Sequence, residues 1–252
     1  MLARAAGVAR LAGRALAALV LPRVCAVCGE FAGEDGSGAV CDHCWTRIAW
    51  LPAPACSRCG HPLRPGVDCT WCAALPPYVR AVRSCCWAEE GPSLAIVHAL
   101  KYAGWRSVAD GMGHRMARLD WPWDVVAERT ALVPVPLAPV RKRERGFNQA
   151  ELIARVLADR WKIPLWPGCL ERVRATETQT RLTPGERQTN VRGAFRAAAR
   201  APDLRGAHLV IVDDVITTAA TLNACAAALC DAGARIVSYV TFARAPALGD
   251  RR

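Results

Sequence analysis

The sequence predicts an α/β protein: a mostly parallel sheet flanked by helices, with a small metal-held module in front of it. Three observations carry this reading. Eight cysteines form four CxxC pairs between Cys25 and Cys72. Beyond Pro77, three short apolar runs alternate with segments of helical period, the pattern of strands covered by helices on both faces. Hydrophobic residues make up 52% of the 252 positions, enough for a core and too many for wholesale disorder.

Residues 1–22 contain no acid and set Arg4, Arg10 and Arg14 among alanines and leucines, which predicts a basic amphipathic helix. The longest uncharged run, Ala15 to Pro22, is short for the apolar part of a signal peptide, and no clear small-residue cleavage site follows. No later segment approaches the ~18–20 uncharged apolar residues of a membrane span.

Residues 23–76 hold the pairs Cys25/Cys28, Cys41/Cys44, Cys56/Cys59 and Cys69/Cys72. Two residues between thiolates make a tight knuckle, and two knuckles close a tetrahedral four-sulfur site. Eight thiolates thus predict two structural Zn2+ ions, a double zinc ribbon. Sequential pairing, first four and last four, is preferred because each loop is short; a cross-braced pairing uses the same eight sulfurs. Disulfides or redox pairs are the alternative, but no thioredoxin-like βαβ pattern surrounds these cysteines. His43 and His61 read as neighbours of the knuckles. Cys85, Cys86, Cys169, Cys225 and Cys230 lack ligand spacing and read as core or incidental residues. Metal-bound thiolates belong to a reducing compartment, so a cytoplasmic location is expected. So small a segment cannot bury enough apolar surface alone, so metal should supply most of its stability.

Residues 78–252 carry the α/β pattern. Ser93 to Leu119 has helical periodicity, Ala131 to Leu137 reads as a buried strand, and RKRERGFNQ (141–149) as a charged loop. Gln149 to Trp161 has a helix period. A long polar stretch from Arg172 to Gly193 precedes HLVIVDD (208–214), a second buried strand. A helix follows from Thr221, ended at Gly233, and then the strand RIVSYVTFA (235–243).

In such sheets, ligands bind beyond the carboxyl ends of strands, where Asp213 and Asp214 fall. The next segment opens a helix, whose free N–H groups favour an anion, and Thr217, Thr218 and Thr221 add hydroxyl donors. Donors for phosphate beside acceptors for hydroxyls describe a sugar phosphate. The bland alternative, a threonine capping a helix, accounts for one threonine and not for the cluster. Val210 to Leu222 looks like the phosphoribosyl pyrophosphate (PRPP) signature of type I phosphoribosyltransferases: an apolar run, two acids, then TTGxT. Ala219 stands where that signature has glycine, and Ala220 follows it.

Further segments resemble the ComF (competence protein F) family: VPVPLAPVRKRERGFNQAELIARVLA, TQTRLTPGERQTNVRGAF and LKYAG, together with the paired cysteine knuckles. The resemblance spans about Leu19 to Ala243. It implies a double zinc ribbon fused to a type I phosphoribosyltransferase-like domain, with a role in natural transformation and the handling of incoming single-stranded DNA in the cytoplasm. By resemblance, Arg143, Arg145, Gly146, Phe147, Asn148 and Gln149 would surround the pyrophosphate or the Mg2+ that accompanies PRPP. The residue-level alternatives are a solvated basic loop and, for Phe147, a core plug. Thr178, Gln179, Arg181, Arg187 and Asn190 would belong to a hood closing over the substrate, or to an ordinary surface loop.

The formal net charge is +11, and the span from Ala138 to Gly206 holds 15 Lys/Arg against 7 Asp/Glu. That balance points to anionic partners. Three functions are compatible: a PRPP-type pocket in a DNA-uptake protein, with an active nucleotide-salvage transferase as its alternative; a single-strand binding module, with Trp45, Trp50 and Trp71 stacking bases or replacing a missing core; and a scaffold whose ribbons dock a helicase or recombination mediator.

Overall fold

The computed structural model describes residues 24–32, 39–63, 66, 68–174, 191 and 193–246. The proposed helix at 1–22 and the hood residues Thr178, Gln179, Arg181, Arg187 and Asn190 lie outside them.

After helix α1 (Asp42–Thr46) and a 3-10 turn (Thr70–Ala74) come β1 (Val79–Trp87), α2 (Pro92–Tyr102), α3 (Val108–Met116), α4 (Trp123–Glu128), β2 (Arg129–Pro134), α5 (Pro139–Arg145) and α6 (Gln149–Trp161). Then follow β3 (Leu170–Arg172), β4 (Phe195–Ala197), β5 (His208–Ile216), α7 (Ala220–Asp231) and β6 (Ile236–Arg244). The main sheet has the order β1-β6-β5-β2, with every pair parallel. A second sheet is the antiparallel pair β3–β4.

Because side chains alternate along a strand, β5 feeds both faces of the sheet. Val210 and Val212 join one core with Leu100, Met112, Ile153 and Leu157 from α2, α3 and α6. Leu209 and Ile211 join the other, with Leu222, Cys225 and Leu229 from α7 and Phe195 from β4.

The cysteine-rich segment shares both cores. Cys25, Cys44, Trp45 and Ile48 lie in the first, and Cys59 in the second. It also covers β1, an outer strand of the sheet. Leu51 N donates to Cys85 O (3.0 Å), Trp87 N to Ala49 O (2.9 Å) and Val82 N to Arg58 O (2.8 Å). Gly60 sits against this strand, with a positive φ of 64°, and a Cβ there would stand 2.5 Å from Val82 O. No larger residue fits so close to backbone.

Four features depart from the sequence expectation. β1 was not anticipated. The Ser93–Leu119 period is two helices broken around Gly104. Residues 139–145 are helical, about two turns started by Pro139 and ended by Gly146 at φ 75°, where a charged loop was expected. The strand holding the acids continues through them to Ile216. Among the described residues, no helix is long and apolar enough to cross a membrane.

Candidate functional site

Two cysteine groups form, Cys25–Cys28–Cys41–Cys44 and Cys56–Cys59–Cys69–Cys72, each with its sulfurs within 4.8 Å of one another. This is the sequential pairing. In the first group Cys25 and Cys44, and likewise Cys28 and Cys41, have sulfurs 3.8 Å apart. A tetrahedral site with metal–sulfur bonds of about 2.3 Å has edges of about 3.8 Å. The second group is somewhat tighter, with Cys56–Cys72 at 3.5 Å and Cys59–Cys69 at 3.3 Å. All are far beyond the ~2.05 Å of a disulfide. Backbone N–H groups of Val27 and Cys41 point at the Cys25 sulfur. Burial opposes its ionisation, but such backbone donors prevail and bring the thiol down to about 6. The donor set fits two structural zinc ions, each held by four thiolates. His61 is no part of either group; its ring meets Trp87 edge-on at 5.8 Å.

At the carboxyl ends of β2 and β5 lies a cavity of about 370 Å³. Asp213, Asp214, Thr217, Ala219, Ala220 and Thr221 form one wall. Thr218 is half-buried and not part of it. The first turn of α7, which has no side-chain cap, opens here. Ala219, at the signature glycine's place, sits in the left-handed region at φ 61°, a conformation glycine adopts freely and alanine only under strain.

The facing wall carries the cations. Lys101 comes from α2, Arg141 and Arg145 from α5, and Arg172 from β3. Two of them, Lys101 and Arg145, are connected to the acids. Lys101 pairs with the buried Asp214 carboxylate, Gln149 Nε2 donates to Asp214 Oδ1 (3.3 Å), and Arg145 donates to Gln149 Oε1. Asp214 N in turn donates to Asp213 Oδ1 (2.9 Å). Burial opposes the Asp214 carboxylate, but Lys101 and the neighbouring donors outweigh it and hold the group below its usual range. Burial, then the charge on Asp214, pushes Asp213 well up. Neighbouring acids with divergent proton affinities can offer one acceptor and one donor to hydroxyls of a ligand.

Of the six residues expected around the pyrophosphate, Arg145 and Gln149 reach the cavity. Arg143 is solvent-exposed, Gly146 ends α5, and Phe147 is buried beneath the Arg106 guanidinium, 4.8 Å from its ring. Asn148 caps α6, accepting from Ala150 N (3.1 Å) and donating to Val135 O (3.0 Å), so it joins α6 to the end of β2. Lys101, Arg141 and Arg172 were not singled out from the sequence. Neither were His98 and Tyr102, which also line the cavity. Lys101 and Tyr102 lie in LKYAG, a segment quoted for the family resemblance without a role for either.

A thiolate ribbon folded onto a parallel sheet, with acids, threonines and a helix N-terminus at one strand end, defines the class: a double zinc ribbon joined to a phosphoribosyltransferase domain. Comparison with known proteins agrees. Residues 16–73 match the double zinc ribbon domain family, and residues 133–252 the phosphoribosyl transferase domain family. The DNA utilization protein YhgH of Salmonella typhi is 32% identical over 234 residues, covering 87% of this chain and 96% of that protein. Competence protein F of Haemophilus influenzae is 39% identical over 93 residues, 37% of this chain and 41% of that one. Competence protein ComFC of Bacillus subtilis is 34% identical over 120 residues, 45% of this chain and 44% of the other. The chain belongs to the ComF family.

Proposed function

We propose that this protein acts in the uptake and use of DNA, and that its cavity binds PRPP or a closely similar sugar phosphate. One observation carries the pocket reading: Asp213 and Asp214, Thr217 and Thr221, and the cations Lys101, Arg141, Arg145 and Arg172 converge on one cavity. The open turn of α7 and the threonine hydroxyls receive a 5′-phosphate. Asp213 engages ribose hydroxyls, while Lys101 fixes Asp214. The arginines, whose planar forks donate two bonds to phosphate oxygens, face the pyrophosphate and the Mg2+ travelling with it.

The role in DNA use follows from the names borne by the relatives and from the excess of Lys and Arg in the sequence between Ala138 and Gly206. Single-stranded DNA in the cytoplasm is the proposed macromolecular partner, with a DNA-uptake helicase or recombination mediator as a further one.

Calorimetric titration of zinc-loaded protein with PRPP and Mg2+ tests the pocket. Saturable binding, lost in Asp213→Asn/Asp214→Asn, is expected. Absence of binding overturns the reading. Pyrophosphate release in the presence of amine or nucleobase acceptors would add transferase activity to it. Single-strand affinity should fall steeply with salt, and it should survive the double substitution if DNA uses a separate surface.

A further inference from the structure

The two cysteine groups lie on opposite faces of the sheet, and only the second shares a face with the phosphate loop. Cys59 belongs to the same core as Ala219, Ala220 and Leu222, whereas Trp45 of the first group packs on Phe242, ring centroids 6.1 Å apart, across the sheet.

Two side chains join the second group to the loop. Arg244 ends β6 and is fully buried; its guanidinium donates to the carbonyl of Cys59 and lies 4.3 Å from the Trp71 ring, beside Cys72. The same residue pairs in register with Ile216, and the next one, Ala245, donates its N–H to Ile216 O (2.8 Å). Ile216 immediately precedes Thr217. Asn223, in the first turn of α7, donates Nδ2 to Ala74 O (2.8 Å), two residues beyond Cys72. Its Oδ1 accepts from Tyr239 Oη (3.0 Å). The loop from Thr217 to Asn223 is therefore held at both ends by residues that also grip the second cysteine group. A buried guanidinium is costly to leave without its acceptors, so Arg244 cannot move independently of Cys59.

We infer that Arg244 and Asn223 are positioning residues that couple the second zinc site to the sugar-phosphate pocket. With the four sulfurs gathered, the Cys59 and Ala74 carbonyls are fixed, and through them the ends of the phosphate loop. Coupling is reciprocal: a ligand that orders the loop must also tighten the hold on metal, typically by about tenfold. The inference rests on the pocket reading above.

Zinc affinity of the full chain, read at equilibrium against a chromogenic chelator with and without PRPP and Mg2+, tests it. Two binding steps are expected, the second-site step being the one missing in Cys72→Ser. Ligand should raise the affinity of that step about tenfold and leave the other unchanged. Asn223→Ala, which keeps all eight thiolates, should load two zinc ions yet lose most of this ligand dependence. If PRPP binds by calorimetry and neither affinity rises, the coupling is refuted while the pocket reading stands. If PRPP does not bind, the pocket reading fails, and amide hydrogen exchange across residues 217–223 decides the coupling instead. Faster exchange after withdrawal of the second zinc supports it, and unchanged exchange overturns it.

Discussion

Lys101 and Asp214 form an ion pair in the cavity wall, the lysine brought by α2 and the acid by β5. Lys101→Met would leave a carboxylate buried without its cation, a loss of about 3–5 kcal/mol for such pairs. Denaturant unfolding should show this, and Asp214→Asn in the same chain should recover most of it. The pH dependence has a definite sign. Asp214 titrates below its usual range in the fold, so its contribution is present above the unfolded value of about 3.9 and lost as pH falls through the lower folded value. Lys101→Met raises the folded value of Asp214, so this acid limb should shrink and the deficit of the variant relative to the parent should narrow as pH falls.

Ala219→Gly should relieve the left-handed strain at φ 61°. The gain in stability is expected at about 1 kcal/mol or less, since glycine also loses more chain entropy on folding. PRPP affinity should rise or hold. A clear fall in stability would mean that methyl packing at this buried site outweighs the backbone term.

Gly111→Ala should loosen the ribbon without touching a cysteine. A Cβ there would stand 2.6 Å from Cζ2 of Trp45, whose ring also carries Arg115 at 3.5 Å. Overpacking of this kind costs about 1–3 kcal/mol. A lowered melting temperature together with faster loss of one zinc equivalent is expected.

His208 opens β5, is buried, and shares a hydrogen bond with Ser238 Oγ at 2.9 Å. Burial brings it down to about 4 from the ordinary 6.5. The unfolded chain therefore takes up this proton first. The stability that follows is full above about pH 6.5 and lost as pH falls toward 4, at up to roughly 1.4 kcal/mol per pH unit. Melting curves of His208→Gln should be flatter than those of the parent between pH 6.5 and 4.

Much of this was legible in the sequence because it rests on short-range signals. CxxC spacing announces a metal knuckle, and the unbroken apolar run Leu209–Val212 in β5, with the mostly apolar stretch of β6, announces strands buried on both faces. Helix α6 was read at its observed bounds from period alone. β1 was hidden because Arg80, Arg83 and Ser84 interrupt its apolar pattern, and their partners are distant in sequence. Arg80 pairs with Asp124, Arg83 donates to Ser57 O and Asp120 O, and Ser84 meets Thr241. The helix over 139–145 did carry its signals, proline at the start and glycine after the end, but the charge run obscured them. Lys101 could not be told from any helix lysine, since only the fold brings Asp214 to it.

The ribbon's cover over β1 has a consequence for solubility. An uncovered outer strand offers a row of unpaired N–H and C=O groups to any other chain in the same state. Here that row is occupied by Ala49 and Leu51, between the two cysteine groups, and by Arg58, inside the Cys56–Cys59 knuckle. Zinc-starved chains should accordingly stick to one another through β1, sedimenting as soluble aggregates before their sheet melts, so metal supply acts for this protein as a guard against self-association.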